Sequence, residues 1–182
     1  KDGKTYELYL DDVIFFADDP KLPAEKEPFP NRVLFLPAFD TGPKTQYWPG
    51  EFELVEKGLP AETYWKAARA VPRKDGKGKW IRLEVRPPRP VGERTKLRFR
   101  YHLTGTSKMT VQMFDVHDQD NRHIHLKDLK QGEWAWANLD FTKDARKNDG
   151  KETPFAAGHK VDDIFFFPAS DADCFWNQKP MS

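Results

Sequence analysis

Cysteine is nearly absent: Cys174 is the only one in 182 residues. A lone thiol excludes an internal disulfide framework and any cysteine-based zinc knuckle. It leaves the cellular compartment open, because a domain of this length buries roughly 70% of its unfolded surface without needing bridges. A surplus of one charge is missing as well. The 30 Lys and Arg against 29 Asp and Glu leave a net charge of +1, which argues against a nucleic-acid binder held by bulk electrostatics. There is no Asn-x-Ser/Thr sequon. Long apolar runs are missing too: the stretch Ile164 to Phe167, followed by Pro168 and Ala169, is far too short to span a bilayer.

What the chain does have is rings and prolines. Fourteen Phe and 6 Trp supply ample surface to bury, which rules out a disordered chain. Fifteen Pro point to loops and edge strands rather than long helices. The chain opens at Lys1 with no basic and apolar leader, and we expect a processed or excised piece of a longer secreted or periplasmic/extracellular protein.

Period-two alternation dominates the pattern, as in half-buried strands. Leu97, Phe99, Tyr101 and Leu103 alternate with Arg98, Arg100 and His102. Ile81, Leu83 and Val85 alternate with Arg82, Glu84 and Arg86. Met109, Val111 and Met113 alternate with Thr110, Gln112 and Phe114, and Ala135, Ala137, Leu139 and Phe141 with Trp134, Trp136, Asn138 and Asp140. Turn chemistry separates them. Lys74 to Gly78, Thr104 to Ser107 and Asn148-Asp149-Gly150 read as hairpin turns, and Pro87-Pro88-Arg89-Pro90 as a connection without ladder donors. Residues 61–71 read as a hairpin, with a helix opened by Pro60 as the alternative. Residues 17–50 read as a Pro-rich excursion holding one strand, Arg32 to Leu36. The expected fold is all-β: an antiparallel β-sandwich of jelly-roll type with long Pro-rich loops, forming one domain over 1–182. Asp11-Asp12-Val13-Ile14-Phe15-Phe16 echoes Asp162-Asp163-Ile164-Phe165-Phe166-Phe167. One reading of that echo makes residues 1–20 the closing strand of a preceding domain.

The run Lys96 to Tyr101, then Thr110 to Met113, Gly132-Glu133-Trp134, Leu139-Asp140-Phe141 and Val161-Asp162-Asp163-Ile164 resembles the second half of a β-jelly-roll carbohydrate-binding module or galactose-binding-like domain. The resemblance covers roughly Lys96 to Phe167 and is a pattern of strands, not a catalytic signature. It implies non-catalytic binding of a polysaccharide or oligosaccharide on a concave sheet face. It also implies a structural calcium away from the sugar, with Asp162 or Asp163 as late ligand and Asp40 or Glu51 as an early partner.

The residues themselves fit sugar chemistry. A pyranose presents apolar C–H faces and a hydroxyl rim, so it needs a flat ring plus planar polar groups. If the aliphatic faces point inward, Trp80, Arg82, Glu84, Arg98, Arg100, His102, Gln112, Trp136 and Asn138 face out. The arginines favour an acidic glycan bearing uronate or sulfate, because a guanidinium pairs with such groups through two hydrogen bonds. The competing reading of the same face is a solvated one, with Arg and Glu in cross-strand pairs.

His123 and His125 share a strand face, and His117 could join them as a metal site. Phe39-Asp40-Thr41-Gly42 matches the aspartic-protease triplet, yet no second copy exists to share a proton with it. A lyase or glycoside hydrolase on the same scaffold stays open, using Arg82, Glu84, Arg98, Arg100, Tyr101 and His102. So does a protein-interaction or scaffold domain of a multidomain chain.

Overall fold

Alternating strands cannot hide their apolar face alone, and here two sheets hide it against each other. The computed structural model describes residues 5–17, 33–35, 39, 50–91, 95–147, 155–156 and 158–169. Within them the chain forms β1 (Glu7–Ala17), β2 (Val33–Phe35), β3 (Gly50–Glu51), β4 (Glu53–Val55), β5 (Ala67–Arg69), β6 (Val71–Pro72) and β7 (Lys79–Pro90). It continues with β8 (Thr95–Thr104), β9 (Met109–Asp115), β10 (Asp120–Leu126), β11 (Trp134–Asp140), β12 (Arg146–Lys147) and β13 (Lys160–Pro168). One sheet runs β11-β8-β1-β5-β4, with β2 added on β1. The other runs β12-β10-β9-β13-β7-β3, with β6 added on β7. Every pairing is antiparallel. The protein is therefore an all-β antiparallel sandwich. Among the described residues no helix is long and apolar enough to cross a membrane.

The inward halves of the alternating strands make the core: Leu8, Leu10, Leu97, Phe99 and Leu103 from the first sheet, Ile81, Leu83, Val111, Met113, Ile164 and Phe166 from the second. Phe99 meets Phe166 edge to face across the sandwich, with ring centroids 5.0 Å apart. Each fully buried side chain of this size contributes about 1.5–3 kcal/mol of transfer free energy.

Two sequence expectations change, and the hairpin reading of residues 61–71 holds. Pro87 to Pro90 lies inside β7, not in a connection. Arg89 pairs with Val161 and Pro90 with Lys160, while Glu84 already faces Asp163. The surplus residues on β7 form an irregularity that holds Pro87 and Pro88, where a missing N–H breaks no ladder bond. Thr104 to Ser107 is a turn but not a hairpin turn, since β8 and β9 belong to different sheets. Gly105 makes that crossing with φ +76°, and a Cβ there would collide with the Thr5 carbonyl. Between β4 and β5, which pair with each other, residues 61–66 form a loop without a helix. The turn at 74–78 is a hairpin, joining β6 to β7. The turn at 148–150 and most of 17–50 lie outside the described residues, although β2 falls where one strand was expected.

The Asp-Asp echo has a physical basis. Both copies sit at bulges in a central strand, Asp12 (φ 47°) in β1 and Asp162 in β13. The first copy pairs on both sides within this sandwich, with β8 and β5.

Candidate functional site

The residues expected to face a ligand do face outward, but on two opposite walls. Arg98, Arg100, His102, Trp136 and Asn138 share the outer face of the first sheet. Trp80, Arg82, Glu84 and Gln112 lie on the outer face of the second. The structure does not bring the two groups together.

On the first wall, β8 supplies Lys96, Arg98, Arg100 and His102, and β11 supplies Asp140, Asn138, Trp136 and Trp134 opposite them. On the other flank β1 places Asp11 across from Arg100 and Tyr9 across from His102. Guanidinium and indole groups then interleave along the diagonals. Arg98 stacks over Trp136 at 4.4 Å and Arg100 over Trp134 at 4.6 Å. The loop entering β5 folds back over this row: Tyr64 lies 4.9 Å from the Arg100 guanidinium, and Arg100 Nη2 donates to the Glu62 carbonyl at 2.9 Å. Arg100 is thus buried and bridges sheet to loop. His102 meets the Trp134 ring edge at 5.7 Å.

Two features separate this wall from ordinary surface. Arg100 Nη1, His102 Nδ1 and Trp134 Nε1 are hidden from water and have no hydrogen-bond partner among the described residues, a costly state for polar atoms. The large exposed apolar side chains among the described residues are Tyr64 (82% exposed), Trp65 (64%) and Trp136 (45%). Two of them belong to this wall and the third adjoins Tyr64 in the chain.

On the second wall the outward residues expected to face a ligand are held by partners within the protein, although Arg73 Nε and Asp162 Oδ1 are buried without one among the described residues. Arg82 makes a two-pronged pair with Asp163, at 3.0 and 3.2 Å, and reaches Glu84 at 3.5 Å and Glu51 at 3.6 Å. Trp80 Nε1 donates to Glu51 at 3.1 Å, and its ring packs on Phe165 and Phe167. Gln112 donates to Asn121 at 2.9 Å. His125 shares a hydrogen bond with Thr110 at 2.7 Å. Burial, with His125 alongside, holds the His123 imidazole down to about 4.

Of the expected calcium ligands, Asp40 lies outside the described residues. Asp163 is engaged by Arg82, and Asp162 lies 3.6 Å from Arg86. Burial pushes the Asp163 carboxyl up while Arg82 pulls it back. His117 does not join His123 and His125: it stacks against His159, ring centroids 4.3 Å apart.

Sequence reasoning passed over Trp134, although it shares the parity of Trp136 and Asn138 and so carried a readable signal. Tyr64 and Trp65 had none, because their loop reaches the wall only through the pairing of β5 with β1. Compared with known proteins, the chain matches no protein family, no curated protein and no solved structure.

Proposed function

We propose that the protein is a non-catalytic glycan-binding domain that holds an acidic polysaccharide on the outer face of the β11-β8-β1 wall, as part of a secreted multidomain chain. The observation that carries this reading is the exposed aromatic set Tyr64, Trp65 and Trp136 beside buried polar atoms of Arg100, His102 and Trp134 that have no partner among the described residues. Exposed rings of this size offer the apolar face of a pyranose a flat platform. Lys96, Arg98 and Arg100 follow one another along β8, so carboxylate or sulfate groups on the polymer meet cations at strand spacing. Tyr64 lies on Arg100, so a small movement of its loop would open the Arg100 and Trp134 donors to hydroxyl groups.

Affinity electrophoresis through gels containing acidic or neutral polysaccharides tests the proposal. Retardation is expected in uronate- or sulfate-bearing gels, strongly reduced in Trp136→Ala and weakened in Arg98→Ala. No retardation on any polymer would overturn it. New reducing or unsaturated ends in the same mixtures would replace binding by catalysis.

A further inference from the structure

The β9–β10 turn and the start of β13 meet at the edge of the sandwich, away from the proposed glycan wall. Here His117, Asp118 and His159 place one ligand atom each within 4.8 Å of one another. A single carboxylate organises all three. Asp115 is fully buried. Its Oδ1 accepts the backbone N–H groups of His117, at 3.0 Å, and Asp118, at 3.3 Å, which fixes the turn. Its Oδ2 lies 2.8 Å from His159 Nδ1. A carboxylate can only accept, so Nδ1 carries the proton and the His159 Nε2 lone pair is left for a ligand. A buried carboxylate behind an imidazole is the arrangement that orients metal-binding histidines and raises their basicity.

From this geometry we infer that His117, His159 and Asp118 form a binding site for a divalent transition ion of the zinc class. Two imidazoles and a carboxylate are borderline donors, suited to Zn²⁺ and its neighbours rather than to Ca²⁺ or Mg²⁺. Three protein ligands leave a fourth position for water. Arg122 and Lys147 both meet Asp118 at Oδ2, at 2.6 and 2.9 Å, so Oδ1 is the oxygen left for the ion. Arg122 and Lys147 offset the charges of Asp115 and Asp118, and the arriving dication meets a locally neutral site. It would clip the turn after β9 to the residue before β13, tying together segments distant in the chain.

Isothermal titration with Zn²⁺ alone tests the site on the full chain. We expect one ion per chain with micromolar affinity, weakened tenfold or more in both His117→Ala and His159→Ala and unchanged in His123→Ala. His117 is exposed, so its replacement leaves the fold intact, and His117→Asn gives a second variant at that position. Zn²⁺ should also raise the Tm of the parent protein but not of His117→Ala. No measurable binding, retention of affinity in either variant, or its loss in His123→Ala would overturn the site.

Discussion

The two outer walls of this sandwich use the same residue types and do opposite things with them. On the β7-β13-β9 wall, Arg82 is ringed by Asp163, Glu84 and Glu51, and Trp80 donates to Glu51. On the β11-β8-β1 wall, Arg98 and Arg100 lie against indole rings, and Arg100 Nη1, His102 Nδ1 and Trp134 Nε1 find no hydrogen-bond partner among the described residues. Arginine beside tryptophan is therefore not a ligand signature by itself. Around Arg82 a two-pronged pair and two further carboxylates hold the sheet together; on the other wall it is the exposed rings of Tyr64 and Trp136 that offer a ligand a surface.

Removing the centre of the closed network should have the largest effect. Arg82→Met leaves Asp163 buried beside Glu84 and Glu51 without its cation. A loss of about 3 kcal/mol in chemical denaturation is expected, with glycan retardation unchanged. The pH dependence follows from the carboxyl. A folded-state value raised above the unfolded one means that the folded protein binds the proton more tightly, so stability declines as pH rises through that window. With Arg82 gone the Asp163 value rises further, and the variant should regain part of its loss near pH 4. A loss independent of pH would mean that the network is not what Arg82 holds.

The reciprocal pair of tryptophans comes next. Trp136→Ala should weaken glycan binding about tenfold, or about 1.4 kcal/mol, with little change in Tm. Trp80→Ala should lower Tm and leave binding alone. Equal effects of both variants on binding would erase the distinction between the walls.

His123, on the same wall as Arg82, gives an effect that appears only in acid. Its folded value is depressed to about 4 from an ordinary 6.5, so the unfolded chain binds the extra proton first. Stability should fall as pH drops from about 6.5 towards 4, by at most ~1.4 kcal/mol per pH unit. His123→Phe should flatten that slope in urea titrations. The smallest effect belongs to the exposed pair of Arg69 with Glu53, 2.6 Å apart. Arg69→Ala should cost under about 1 kcal/mol, less in high salt.

Much of the fold was legible because alternation maps directly onto burial. Leu97, Phe99, Tyr101 and Leu103 are buried, and Arg98 and His102 face out, as their spacing requires. What alternation could not give was strand partnership. Thr104 to Ser107 looks the same whether the next strand pairs with β8 or crosses to the other sheet. Prolines 87, 88 and 90 look like a connection until the surplus residues of β7 are set against β13. The candidate site suffered from the same limit: outward parity is a property of one strand, and it cannot tell which of two outer walls a residue joins. His159 carried no signal next to His117, because the two stand 42 positions apart in the chain.

By itself, then, the sequence determined that this protein is a sandwich of antiparallel strands with apolar rings inside and guanidinium groups outside, because side-chain parity is a local consequence of the extended backbone. The tertiary structure alone decided which arginines stack on indoles, which loop covered Arg100, and that two histidines distant in the chain meet beside one buried aspartate. Those outcomes depend on sheet order and on crossings between sheets, and neither is written in the period of any single strand.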